Sequence, residues 1–119
     1  MGVQRLVTFP AGEPTWPAVA AKLAELGESP PVRMIDGLPA FPDEQPADGW
    51  REVRLGFAAG MVTIARSPTG WRFTVWGTDD PALLRAQTAC AWAAAAAGSG
   101  LVHTDTGPLT PDAFRAQWQ

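Results

Sequence analysis

Between Trp50 and Gly77, two turn signals and one apolar alternation agree on a single arrangement, a three-stranded antiparallel meander. Residues 50–58 alternate, with Val53, Leu55 and Phe57 on one side and Glu52, Arg54 and Gly56 on the other. A turn at Ala59-Gly60 pairs Phe57 with Val62 and Leu55 with Ile64. A second turn at Pro68-Thr69, with proline where its fixed φ suits the turn, pairs Arg66 with Trp71, Ile64 with Phe73 and Val62 with Val75. The expected buried face is therefore Val53, Leu55, Phe57, Val62, Ile64, Trp71, Phe73 and Val75. The other face carries Glu52, Arg54, Thr63, Arg72, Thr74 and Trp76.

The flanking segments supply helices. Residues 3–9 suit a strand. Thr15 caps a helix to about Leu26, with Pro17 in its first turn, Gly27 past its end and a stripe of Val19, Leu23 and Leu26. Residues 32–35 suit a short strand. Asp36-Gly37 turns it back, and Pro39 confines residues 38–41 to an edge or a loop. Residues 42–49 are acidic and rich in proline, as expected of an exposed loop. Asp79-Asp80 complements the start of a second helix that has Pro81 at its first position and ends near Gly98, with Leu84, Ala91, Trp92 and Ala95 on its inner face. Residues 101–104 suit a last strand, and Thr110-Pro111 opens a short terminal helix with Leu109 and Phe114 as a hydrophobic staple.

The element order is β-α-β-β-β-β-α, followed by a strand and a short helix. It predicts a single α+β domain over residues 1–119: a two-layer sandwich, mostly antiparallel, with helices on one face of the sheet. That order is shared with TATA-binding-protein-like domains, a likeness of topology that no motif residue carries.

Charge and composition exclude several roles. The net charge is −3 and Lys22 is the only lysine, which opposes a nucleic-acid binder built on phosphate contacts. No apolar run reaches the ~18–20 residues of a membrane span, and the first residues do not read as a signal peptide. One cysteine, Cys90, rules out an internal disulfide or a multi-cysteine zinc site and fits a reducing, cytoplasmic setting. The absence of Asn and Tyr and the wealth of Ala, Pro and Arg read as the codon bias of a GC-rich bacterial genome.

Chemistry-bearing residues are few. His103 is the only histidine, and Asp105 two positions on shares its face if the strand continues. One histidine and one carboxylate do not make a metal site. Cys90 lies mid-helix among alanines, without the electropositive setting that activates a thiol. No nucleophile elbow or phosphate loop occurs, and no cofactor is expected.

Six tryptophans are the compositional oddity. Trp71 belongs to the buried face, and Trp16, Trp92 and Trp118 lie on helices. Trp50 and Trp76 have the parity of the open face, with Arg54 and Arg72 between them, level across Ala65 and ~10 Å apart at ~4.8 Å per strand. Three readings of that face compete: a solvated surface, a protein contact, and a small anionic ligand held by the two arginines. The functional expectation is a non-catalytic protein-interaction or self-association module that uses Trp50, Arg54, Arg72, Thr74 and Trp76. A homodimer through the sheet and an acidic partner-blocker with a basic partner are forms of it. The alternative is a small-ligand domain whose pocket, lined by Trp and Met34, lies between the sheet and loop 36–49. An enzyme ranks third, and needs His103 or Cys90 beside a second ionisable group.

Overall fold

The structure, a computed structural model, describes residues 2–77 and 80–118; Asp79 of the expected helix-start pair lies outside them. The elements run β1 (Gly2–Thr8), α1 (Trp16–Glu25), β2 (Val32–Ile35), β3 (Leu38–Pro39), β4 (Glu52–Phe57), β5 (Gly60–Ser67), β6 (Gly70–Trp76), α2 (Pro81–Gly98), β7 (Leu101–Thr104), β8 (Gly107–Leu109) and α3 (Pro111–Trp118). The strands form one antiparallel sheet in the order β3-β2-β4-β5-β6-β1-β7-β8. The α+β architecture with helices on one face is the expected one; β8 is a strand the sequence pattern does not announce.

The second hairpin has the expected register, Ile64 opposite Phe73 and Arg66 opposite Trp71. The first differs. Leu55 faces Val62 and Val53 faces Ile64, so the turn is Ala58-Ala59 and the glycine follows it. The two registers are offset by two residues, and a period-two pattern cannot distinguish them because each puts the same side chains on the same face. Both turns are followed by a glycine at positive φ, Gly60 at +146° and Gly70 at +142°. At Gly70 a Cβ would also lie 2.2 Å from the Val7 carbonyl oxygen, so no larger residue fits.

The helix layer is built on α2, which lies over β5, β6, β1 and β7 with α1 and α3 against it. A helix packed on several sides must be apolar nearly all round, and Ala89 to Ala95 are all buried. Alanine also lets the helix axis approach the sheet closely. Asp80 Oδ1 accepts from the Ala82 amide at 2.9 Å and caps its start. Leu83 and Gln87 face the sheet, whereas Leu84 is only half-buried. Gln87, 1 % exposed, donates through Nε2 to the carbonyls of Val3 (2.9 Å) and Phe73 (2.7 Å), one on each of two neighbouring strands. Beneath α2 the expected apolar face is buried throughout, apart from Phe57, which is half-buried.

One corner of this core is aromatic and charged together. Trp50 packs edge-on against Trp71 (centroids 4.9 Å apart) and Trp16 (6.1 Å), and Phe9 packs on Trp71 (4.9 Å). The Arg66 guanidinium lies over the Trp50 ring at 5.0 Å and donates to the Trp50 carbonyl at 2.7 Å. Glu13 closes the corner, accepting from Arg66 and, at 2.8 Å, from the Trp71 indole. The Arg66 hydrogen bond holds the Glu13 carboxyl below the usual range; partial burial opposes this and the Trp71 donor adds to it.

A carboxyl whose folded value is depressed stabilises the fold above its ordinary value and loses that contribution as pH falls through the lowered one. Glu13→Gln is therefore expected to cost about 1 kcal/mol near neutral pH, a value discounted for a side chain about one-third exposed. The difference from wild type should close as the medium is acidified, as read from urea midpoints across pH.

Candidate functional site

With the helices on one side, the other face of the sheet is bare. Its rows follow from the register. Met34, Arg54, Thr63, Thr74 and Gln4 form one row; Glu52, Ala65, Arg72 and Leu6 form the next. Beyond the first row Gly56 faces Met61 on one pair of strands and Trp76 faces Gly2 on another.

These two glycines have a use. A Cβ on Gly2 would lie 2.9 Å from the Trp76 ring, and one on Gly56 would lie 2.7 Å from Arg33 Nε. Both long side chains thus lie flat across a backbone that carries no side chain, as aromatic rings do over strand glycines elsewhere. Trp76 remains 63 % exposed and Met61 43 %. Arg33 joins the open face in this way, through a register irregularity in β2 between Val32 and Met34.

Of the residues expected on this face, four lie there and one does not. Trp76 is its exposed apolar anchor. Thr74 sits mid-row between Thr63 and Gln4 and is only 8 % exposed. Arg54 donates through Nε to Glu52 at 3.2 Å. Arg72 is exposed and makes no ion pair among the described residues. Arg54 and Arg72 are not level: Arg72 lies opposite Glu52 across Ala65, and Arg54 lies one row away.

Trp50 is the correction. It is 5 % exposed and belongs to the core. β4 begins at Glu52, so the strand alternation does not reach Trp50. Asp36 fixes that start. Its Oδ1 accepts from the amides of Arg51 (2.7 Å) and Glu52 (3.0 Å), and these bonds hold its carboxyl below the usual range. The chain before them turns, with the Trp50 amide bonded to the Ala47 carbonyl, and the indole swings under the sheet.

His103 is on the open face too, but its partner is Thr8, with Nε2 2.9 Å from Thr8 Oγ1. β7 ends at Thr104, and Asp105 lies in the turn that follows, so no strand alternation links it to His103. Cys90 is fully buried, and burial, with the Glu28 charge adding to it, pushes its thiol far up. Among the described residues no three His, Cys, Asp or Glu side chains are grouped to hold a metal ion, and no helix is long and apolar enough to cross a membrane.

Two concavities bear on a ligand. Near loop 36–49 a cleft of about 290 Å³ is lined by Trp16, Leu23, Val32 and Gln45, and not by Met34. The other, about 860 Å³, opens where β7 leaves β1, and includes Arg5, Arg72 and His103. β1 meets β7 only at Val7 and Thr8, although it continues along β6 to Gly2. Arg5 is a cleft residue outside the expected set. Its parity is that of the buried face, and a charge at a core position of a strand was the available signal.

Comparison with protein-family models, with curated proteins and with solved structures gives no match for this chain.

The two tryptophans separate the core from the face. Trp50→Ala is expected to cost about 3–5 kcal/mol, the range for removing a large buried aromatic. Trp76→Ala should cost less than about 1 kcal/mol. Urea denaturation of the two variants measures both.

Proposed function

We propose that this chain is a non-catalytic interaction module that presents its bare sheet face to an acidic surface of another protein. The observation that carries this reading is the exposed Trp76, seated on Gly2, with Met61 also exposed, on a face otherwise edged by arginine. Trp and Arg are the residue types that most often dominate binding energy at protein interfaces.

The sign of the partner follows from charge. Arg33, Arg54 and Arg72 lie on the face against one acid, Glu52. The whole chain has nine Lys and Arg and twelve Asp and Glu, so the remainder carries six cations and eleven acids. The face is thus a basic patch on an acidic body, and an acidic partner is steered to it. Face-to-face self-association would bring two sets of three arginines together against two glutamates, which disfavours the homodimer form of this reading. Three arginines, one already paired, are also few for a phosphate backbone. His103 held by Thr8 and Cys90 sealed within α2 support a non-catalytic role.

The test is a titration of 15N-labelled protein with a glutamate-rich peptide containing leucine, and with its lysine-rich counterpart. The acidic peptide should shift the Trp76 indole and the amides of β4–β6, and the shifts should fade with salt. Trp76→Ala or Arg54→Glu should weaken binding roughly tenfold, the scale of a lost interfacial anchor. An acidic peptide that leaves Trp76 unmoved, or a lysine-rich one that binds there instead, contradicts the proposal.

A further inference from the structure

The cleft beside β1 contains an arginine that nothing explains. Arg5 stands on the helix side of β1, with its guanidinium over the Phe114 ring at 5.1 Å. Its Nε is buried without a hydrogen-bond partner, and the side chain makes no ion pair among the described residues. Burial pulls the guanidinium below its ordinary value, and the charge of Asp105 only partly offsets this. A partly buried cation whose charge is only partly compensated is costly to a fold. Nothing in the packing of the sheet requires one here, since Val3 and Val7, its neighbours on the same face of β1, are apolar.

The surroundings define what would satisfy it. β7 diverges from β1 after Val7 and Thr8, leaving a notch between residues 3–6 and the β7–β8 hairpin. Arg72 reaches the notch from the open face, and Asp105 lines its rim. With two arginines and one aspartate the notch carries one net positive charge. Phe114, Trp118 and Leu6 give it apolar walls. Its volume, about 860 Å³, is within the ~300–1,000 Å³ usual for small-molecule sites.

We propose that this notch binds a monocarboxylate with an apolar body, the carboxylate on Arg5 and the body against Phe114 and Trp118. Among the described residues no side-chain hydrogen bond fixes the Arg5 guanidinium, so a rotation of its terminal bonds turns the Nε–Nη edge toward the ligand. That edge offers two parallel N–H donors, the geometry that matches a planar carboxylate. A single net charge suits a monoanion better than a phosphate dianion, which Asp105 would repel more strongly. The carboxylate has two possible sources, a free small acid or the C-terminus of a peptide. The notch shares Arg72 with the open face, but its carboxylate contact is made by Arg5 and does not depend on docking at that face.

The probe is 3-phenylpropionate, titrated into the 15N-labelled protein beside its methyl ester. Saturable shifts in β1 and β7 are expected with the acid, and at least tenfold weaker binding with the ester, as fits a lost charge-assisted contact. Arg5→Met should weaken the acid at least tenfold while leaving the thermal midpoint equal or higher, because it removes a charge without a partner. A purely structural Arg5 would lower that midpoint and leave the ligand untouched. Should Arg5→Met fail to fold, the acid–ester comparison on wild type and the variant Arg5→Lys, expected several-fold weaker, decide alone. A short peptide ending in phenylalanine, with a free or an amidated C-terminus, distinguishes the sources. Binding of the free form alone points to a chain terminus; failure of both beside a bound phenylpropionate points to a small acid. No saturation at millimolar acid, equal binding of the ester, or unchanged binding by a folded Arg5→Met overturns the proposal.

Discussion

The packing of one alanine-rich helix against one face of the sheet is the interaction on which the rest depends. α2 lies over four strands, and its alanines set the distance at which Leu83 and Gln87 reach them. Gln87 is the polar pin of that contact: it bonds carbonyls on β1 and β6, neighbouring strands from opposite ends of the sequence before α2. Because every helix is on this side, the hydrophobic effect acts on one face only. The other face need not be apolar, and it is not.

The aromatic corner works at the far end of the same layer. Trp50, Trp71, Trp16 and Phe9 fill the space that α2 does not cover. Arg66 and Glu13 close it with a charge pair that also satisfies the Trp71 indole and the Trp50 carbonyl. Buried polar atoms need such partners. Arg5 contrasts with Arg66: it lies in the same layer with a ring beneath it, but no carboxylate pairs with it among the described residues. One arginine completes the core; the other is left facing a cleft.

What was legible in the sequence was whatever a local period fixes. The alternation from Val53 to Val75 gave the faces, and Pro68-Thr69 gave the second register. The first register was open by two residues, because Val62 and Ile64 pair equally well with either neighbour across the turn. Trp50 departs from the strand parity because β4 stops at Glu52, and the Asp36 side chain that fixes this end is sixteen residues from Glu52 in sequence. The level placement of Arg54 and Arg72 failed with the register. Arg33 on the open face depends on a β2 irregularity that has no sequence marker, and the notch depends on how soon β7 parts from β1, strands nearly a hundred residues apart. Four of the five expected face residues nevertheless lie where their parity put them.

Sidedness joins these observations to function. Apolar alternation places the helices, the helices leave a bare face, and on that face glycines let Trp76 and Arg33 lie flat. The most direct measurement is carbene footprinting of the free protein in dilute, low-salt solution, read residue by residue by mass spectrometry. Heavy labelling of Trp76 and Met61 and protection of Trp50 are expected. Protection of Trp76 and Met61, or labelling of Trp50 to the same extent, would contradict this sidedness.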